Sequence, residues 1–263
     1  MLRASLVIPT LNESASIGHV LRTFRTAADS ANQRFFFRNP IDWEVIVVDG
    51  PSTDGTTEVA RREGARVISE LRRGYGRAYR TGFAAATGEI IATADGDASY
   101  PVEEIPWFVL DLLEHRLDFL TCDRLSYLDA KAMTTEHRIG NWALNFGLRA
   151  FFHSALQGAP ARVVRDSQSG MWIFRREILD RLKLTQEGMA FSEELKIEVL
   201  LRGLRFEEIP IHYSERWGAP KLSSWRDGAR NMLYLVQKRF EVSRDRRRGY
   251  EQVAIDRPEG APR

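Results

Sequence analysis

Two aspartates separated by one glycine, Asp95-Gly96-Asp97, are the residues whose type and spacing point most directly to chemistry. They follow the apolar run Glu89 to Thr93, which reads as a buried strand bounded by Gly88. Paired carboxylates at the carboxyl end of a strand suit a hard divalent cation. Mg²⁺ and Mn²⁺ in turn suit a diphosphate, because they prefer oxygen ligands and share them readily with phosphates. The glycine between the acids lets the backbone turn tightly and a ligand approach closely. Alone, the tripeptide is also an ordinary turn, so its meaning depends on what meets it at the same edge.

The elements that must position this pair are legible from periodicity. Ser5 to Pro9 is a β-branched run stopped by proline, and a helix with apolar positions Ile17, Val20, Leu21 and Phe24 follows, with Asn12 or Ser14 as its cap. Trp43 to Val48 is a continuous apolar run, the mark of a strand covered on both faces. Thr56 to Glu63 reads as helix, Arg66 to Ser69 as strand, Gly76 to Ala86 as helix and Glu89 to Thr93 as the fourth strand. The arginine- and phenylalanine-rich segment Asn32 to Asn39 reads as a loop insertion. Beyond Asp97, helix is expected over Val102 to His115, Ala130 to Leu156, Arg176 to Lys183 and Phe191 to Leu201. Strand is expected over Asp118 to Cys122, Met171 to Phe174 and Phe206 to Ile211, and a last amphipathic helix carries Met232 to Val236. Alternating strands and helices predict an α/β fold, a Rossmann-like open and mostly parallel sheet flanked by helices. One domain is expected over residues 1–240, with a basic, flexible tail over 241–263. The 130–156 helix has too many apolar residues for one buried stripe, which leaves some for a partner or a membrane surface.

Polar groups fall after successive strands: Asn12-Glu13, Asp49, Asp95/Asp97 and Arg124. Ligands of an open parallel sheet bind at that edge. Singly, Glu13 could serve only a helix start and Asp49 only a turn; together they suggest a site. No Gly-x-Gly-x-x-Gly follows the first strand, and there is no Walker lysine, serine nucleophile elbow or His-Glu-x-x-His pair. With 43% hydrophobic and 28% charged residues the composition is that of a globular protein, and a net charge of +2 gives no case for nucleic acid. The single cysteine, Cys122, rules out an intramolecular disulfide and fits a reducing compartment; no signal peptide or spanning segment is evident.

Three blocks carry a resemblance. Pro9-Thr10-Leu11-Asn12-Glu13, Val47-Val48-Asp49-Gly50-Pro51-Ser52-Thr53-Asp54-Gly55-Thr56 and Asp95-Gly96-Asp97 are similar, in order and spacing, to blocks of the family 2 glycosyltransferases. The likeness covers about residues 4–225. Within that family the chain most resembles polyprenyl-phosphate (dolichol-phosphate) hexosyltransferases. His137-Arg138-Ile139-Gly140-Asn141, Asp166-Ser167-Gln168-Ser169-Gly170-Met171 and Arg216-Trp217-Gly218-Ala219-Pro220-Lys221-Leu222 carry this narrower likeness. The resemblance implies a GT-A fold and a nucleoside-diphosphate sugar donor held by Pro9, Thr10, Glu13, Asp49, Ala94, Asp95 and Gly96. It implies Mg²⁺ or Mn²⁺ on Asp95 and Asp97, and an acceptor phosphate met by Arg124, Arg138, Ser169, Arg216 and Lys221, with Asp95, Asp97, Arg138 and Lys221 as the catalytic set. Gly50-Pro51, Ser99 and Tyr75 depart from the family pattern.

A lipid phosphate is already anionic, so it needs cations to position it rather than a strong base. The expected reaction is an inverting transfer of hexose from GDP-mannose or UDP-glucose to a dolichyl or undecaprenyl phosphate. It would run on the cytoplasmic face of a membrane, with docking through the Trp142–Phe152 helix and the basic C-terminal run or through a separate membrane-anchoring subunit. A hydroxyl acceptor is the rival; it would require a base, for which Asp166, Glu193 and Glu194 stand available, the last two also explained by helix-dipole placement. A nucleotide-sugar-binding scaffold without turnover is the second rival.

Overall fold

Strands and helices alternate from the N-terminus because each strand carries apolar residues on both faces and each helix covers one of them. The computed structural model describes residues 1–129, 132–152, 164–218 and 224–247. In chain order the elements are β1 (Leu2–Thr10), α1 (Ile17–Arg34), β2 (Ile41–Asp49), α2 (Thr56–Arg62), β3 (Arg66–Ser69), α3 (Tyr75–Ala85) and β4 (Ile90–Thr93). There follow α4 (Ile105–Glu114), β5 (Phe119–Leu128), α5 (Thr135–Phe152), β6 (Trp172–Arg175), α6 (Phe191–Leu201), β7 (Phe206–Tyr213) and α7 (Ser224–Arg247).

The seven strands form one sheet in the order β3-β2-β1-β4-β6-β5-β7. β1 pairs in parallel with β2 and β4, β2 with β3, and β5 with β7, while β6 runs antiparallel to both β4 and β5. The chain leaves β1 toward β2 and β3, then returns to place β4 on the other side of β1. That reversal opens a crevice at the carboxyl ends of β1 and β4, the place where open sheets take ligands. Glu13 follows β1 and Asp95 follows β4, so the fold brings them to this point.

Side-chain alternation decides which face each residue fills. Leu6, Ile8, Val45 and Val47 pack with Phe24, Val109 and Leu112 from α1 and α4. Val7, Ile46, Val48 and Ile91 pack with Tyr79, Phe83, Leu148, Leu195 and Leu235 from α3, α5, α6 and α7. Both faces are buried, which explains why the strands read as unbroken apolar runs.

Four local expectations change. Asn12 does not cap α1: at φ 53° its Oδ1 accepts the Thr53 N–H at 2.8 Å, and Ser14 donates its N–H to Asp54, so both tie the β1 and β2 loops together. Arg176–Arg181 winds as a 3-10 turn, the common form for so short a piece. The segment read as an insertion over Asn32 to Asn39 is helical as far as Arg34. The basic run expected to begin a tail at residue 241 is still α7 through Arg247. On α5, Leu144, Leu148 and Phe152 are buried whereas Ile139, Trp142 and Phe146 are exposed, matching an apolar excess over one stripe.

Gly82 sets how closely α3 lies on the sheet. A Cβ there would fall 2.3 Å from Val7 Cγ1 and 3.1 Å from Val48 Cγ2. Overpacking of this kind costs about 1–3 kcal/mol. Gly82→Ala is expected to lower unfolding stability by about that much in urea titration; an unchanged midpoint would show that α3 can shift outward freely.

Candidate active site

The site begins with two loops locked to one another. Asp49, buried at the end of β2, accepts hydroxyl donors from Thr10 at 2.8 Å, Ser52 at 2.7 Å and Thr57 at 2.6 Å. A carboxylate offers about four acceptor positions, so roughly one is left for a ligand donor such as a base N–H. Asp54 receives the Thr56 hydroxyl and the Ser14 and Thr56 N–H groups. Burial works against its charge, but these bonds win and hold its carboxyl at about 2. The Asp49 and Asp54 loops are therefore fixed frames. Pro9 is half-buried beside them, and Ala94 and Gly96 line the turn, with Gly96 O accepting the Ser16 hydroxyl at 2.7 Å.

Asp95 and Asp97 meet this frame from β4. Asp97 is buried; its Oδ1 accepts the Ser99 N–H at 3.1 Å and the Ser99 hydroxyl at 2.5 Å. Its Oδ2 lies 3.3 Å from an Arg216 nitrogen, which is also 3.4 Å from Glu13 Oε1. Burial first, and the Asp97 charge second, push the Asp95 carboxyl up to about 7, with Arg124 and Arg216 opposing. Tyr79 and Tyr75 hydroxyls stand 3.4 and 3.5 Å from Asp95 Oδ1. Two like charges made mutually unfavourable in a dry crevice favour a cation between them, and their oxygens match a hard one. The residues fit Mg²⁺ or Mn²⁺. Among the described residues no group of three or more His, Cys, Asp or Glu side chains could hold a metal, so further oxygens would come from ligand and water.

The expected cations do not gather at one point. Arg216, expected to meet the acceptor phosphate, pairs with the carboxylates of Glu13 and Asp97. Its Nε is buried without an acceptor among the described residues. Trp217 fixes the loop, donating its N–H to Asp97 O at 2.9 Å and stacking on His19 with ring centroids 4.9 Å apart. Arg124 is forked onto Asp166, with Nε and a terminal nitrogen at 2.7 and 2.9 Å from its two oxygens. Burial opposes the Asp166 charge, but Arg124 outweighs it and holds Asp166 below the usual carboxylate range. Ser169 is fully buried, and its Oγ accepts the Met171 N–H at 3.5 Å. Lys221 lies outside the described residues.

Arg138 belongs to a separate cleft of about 290 Å³. Arg149 and Arg165 share it, with Leu125, Leu128, Trp142 and Phe146 supplying apolar wall. Neither Arg149 nor Arg165 stood out in the sequence, although Arg149 is three turns along the helix from Arg138, a spacing that keeps both on one face. Glu193 and Glu194 stand in the first turn of α6, where the helix dipole favours acids, and both are buried. α6 is buried nearly all round, so Glu193 accepts from Gln168 at 2.6 Å and Glu194 holds the Thr185 hydroxyl and the Thr185 and Gln186 N–H groups.

With this geometry in view, relatives can be compared. The model of "Glycosyl transferase family 2" matches residues 5–183. The chain is 36% identical over 225 residues to the dolichyl-phosphate hexose transferase of Haloferax volcanii, covering 86% of this chain and 89% of that one. It is 32% identical over 227 residues to the dodecaprenyl-phosphate galacturonate synthase of Rhizobium johnstonii, covering 84% and 62% respectively. Among solved structures, glucosyl-3-phosphoglycerate synthase of Mycobacterium tuberculosis, in complex with Mn²⁺, UDP and phosphoglyceric acid, superposes with a TM-score of 0.70 at 24% identity over 90% of this chain and 78% of that one. The same synthase has been solved with Mg²⁺ and UDP. The sheet and crevice are thus the GT-A fold. The chain belongs to glycosyl transferase family 2.

Proposed function

We propose that this transferase moves a hexose from a nucleoside-diphosphate sugar to a polyprenyl phosphate, with inversion at the anomeric carbon. The observation that carries the reading is the cleft, where Arg138, Arg149 and Arg165 stand beside Leu125, Leu128, Trp142 and Phe146. Guanidinium forks suit a phosphate monoester, and the apolar wall suits the start of an isoprenoid chain. The names of the Haloferax and Rhizobium relatives support the same class of acceptor.

The rival hydroxyl acceptor lacks a base among the residues available for it. Asp166 is neutralised by Arg124. Glu194 spends both oxygens on Thr185 and Gln186. Glu193 is fully buried, and that burial, only partly offset by Gln168, raises its carboxyl well above 4.5. A phosphate oxygen needs none of them. It attacks the anomeric carbon directly; the C–O bond to the diphosphate breaks as the new C–O–P link forms, and the nucleoside diphosphate leaves with the electron pair.

On the donor side Asp49 would take the base, Glu13 with Asp95 the ribose, and Asp97 with Asp95 would hold Mg²⁺ or Mn²⁺. Bound there, such an ion supplies Lewis-acid neutralisation of the leaving diphosphate. Arg216, already against Asp97, adds a fixed cation to the same side. The work is done at the cytoplasmic face of a membrane. Ile139, Trp142 and Phe146 on α5 and Leu233 and Phe240 on α7 are exposed, and the two helices pack where Gly147 faces Met232 and Leu235. No helix among the described residues is long and apolar enough to cross a membrane, so contact would be peripheral or through an anchoring subunit.

The test supplies radiolabelled nucleotide sugars and polyprenyl phosphate with and without EDTA. A chloroform-extractable labelled product that requires metal is expected, and label transferred only to water or to sugar hydroxyls would refute the reading. Arg138→Ala should raise the acceptor KM about tenfold or more, the scale of a lost charge-assisted hydrogen bond, with donor KM little changed. A second measurement checks the base argument. Glu193 binds its proton more tightly folded than unfolded, so its contribution to stability is full below about pH 4.5 and falls, by about 1.4 kcal/mol per pH unit, as pH rises toward the folded value. The melting temperature of Glu193→Gln relative to wild type should therefore climb from pH 5 to pH 8. A flat difference would mean that Glu193 ionises freely and could act as a base.

A further inference from the structure

Residues 164–170 run from the arginine cleft to Asp95, and side chains from six separate elements and turns grip their main chain. Arg149 on α5 donates to Val164 O at 3.2 and 3.3 Å. Asn145 on the same helix donates Nδ2–H to the Arg165 carbonyl and accepts the Ser167 N–H on Oδ1 at 2.8 Å. Glu208 on β7 accepts the Arg165 and Asp166 N–H groups at 2.6 and 3.2 Å. Lys196 on α6, fully buried, donates to the Asp166 carbonyl. At the far end Gly170 donates its N–H to the Tyr100 hydroxyl at 2.8 Å, and its carbonyl takes Thr93 and Tyr79 hydroxyls at 2.8 and 3.2 Å.

Buried main-chain groups must be paired, but helix or sheet partners would do that without burying a lysine and an asparagine at a desolvation cost. What this arrangement adds is orientation. With the main chain clamped on both sides of Asp166, its carboxylate is fixed, and Arg124 is fixed by the fork it makes there. Asn145 is seven residues after Arg138 and four before Arg149, so all three share one face of α5, and all three line the cleft. Two groups of cations on different elements, Arg124 on β5 and the arginines of α5, are thereby joined through a single buried carboxamide.

We propose that Asn145 is a positioning residue for the acceptor. It holds the 165–167 main chain, and with it the Asp166–Arg124 pair, in register with Arg138 and Arg149, which line the adjoining cleft with Arg165. The inference rests on the phosphate acceptor proposed above. Its consequence is selective. Loosening Asn145 should impair the acceptor side and spare the donor crevice, which is framed by Asp49, Asp95 and Asp97 on other strands.

The test measures initial rates of full-length Asn145→Ala with polyprenyl phosphate and nucleotide sugar varied in turn, alongside Mn²⁺–nucleotide binding by calorimetry. Acceptor KM should rise about tenfold while donor KM and nucleotide affinity stay within about twofold, the signature of a lost acceptor contact rather than general damage. In an Asp166→Asn background the same substitution should change acceptor KM less than about threefold, because residues acting through one another are not additive. Donor and acceptor constants worsening together, or the full tenfold loss persisting without the Asp166 charge, would overturn the proposal. If Asn145→Ala does not fold, Asn145→Asp, which keeps the acceptor for the Ser167 N–H and loses only the donor to the Arg165 carbonyl, carries the same comparison with a smaller expected shift. A wild-type enzyme that glycosylates hydroxyls and ignores the lipid phosphate would instead overturn the functional reading and this inference with it.

Discussion

Asp95 and Asp97, two carboxylates one residue apart at the end of β4, crowd like charge into one turn. Burial and mutual repulsion raise Asp95 to about 7, and the surroundings are arranged around that conflict. Arg216 leans on Asp97 and Glu13, while Tyr75 and Tyr79 bring hydroxyls to Asp95. A divalent ion with its diphosphate, as proposed for this crevice, would offset the same repulsion.

The second consequence is a division of labour along the sheet. The parallel half, β3-β2-β1-β4, supplies the hydroxyl-capped Asp49 and the Asp95/Asp97 turn, all fixed by local loops. β6, running against its neighbours, breaks the parallel order and lets residues 164–170 pass beside Asp95 from the other side. That passage is where α5, α6 and β7 meet. The acceptor proposed to approach there would meet guanidinium groups and apolar wall, while Asp166, Glu193 and Glu194 are paired or buried. The chemistry that such a place favours begins with a nucleophile that is already charged.

How much of this could be read beforehand follows the range of the interactions. Strands such as Ile41–Asp49 and helices such as Ile17–Arg34 announce themselves through local apolar patterning, and the motifs proposed for the donor lie within short loops. Pro9 to Glu13, Asp49 and Asp95/Asp97 converge because β1, β2 and β4 are neighbours, which an alternating pattern implies. The acceptor side depends on distant pairings: Arg124 with Asp166, Asn145 with the 165–167 main chain, Lys196 with the Asp166 carbonyl. No spacing rule links residues so far apart. α6 is a related case: Glu193 and Glu194 stand in its first turn as a helix start favours, yet their partners Gln168, Thr185 and Gln186 lie in other segments and are set only by the packing. The pairing of Arg216 with Glu13 and Asp97 is likewise long-range and has no local signal.

The proposed chemistry depends on a nucleophile that is charged before it arrives. The direct measurement compares polyprenyl phosphate with the corresponding polyprenol, its dephosphorylated alcohol, as acceptors at equal concentration in the same detergent, with product linkage read by ³¹P NMR. Transfer to the phosphate, giving a sugar phosphodiester, with no detectable transfer to the alcohol, is the predicted result. Comparable glycosylation of the alcohol would require a working base beside the anomeric carbon and would contradict the account.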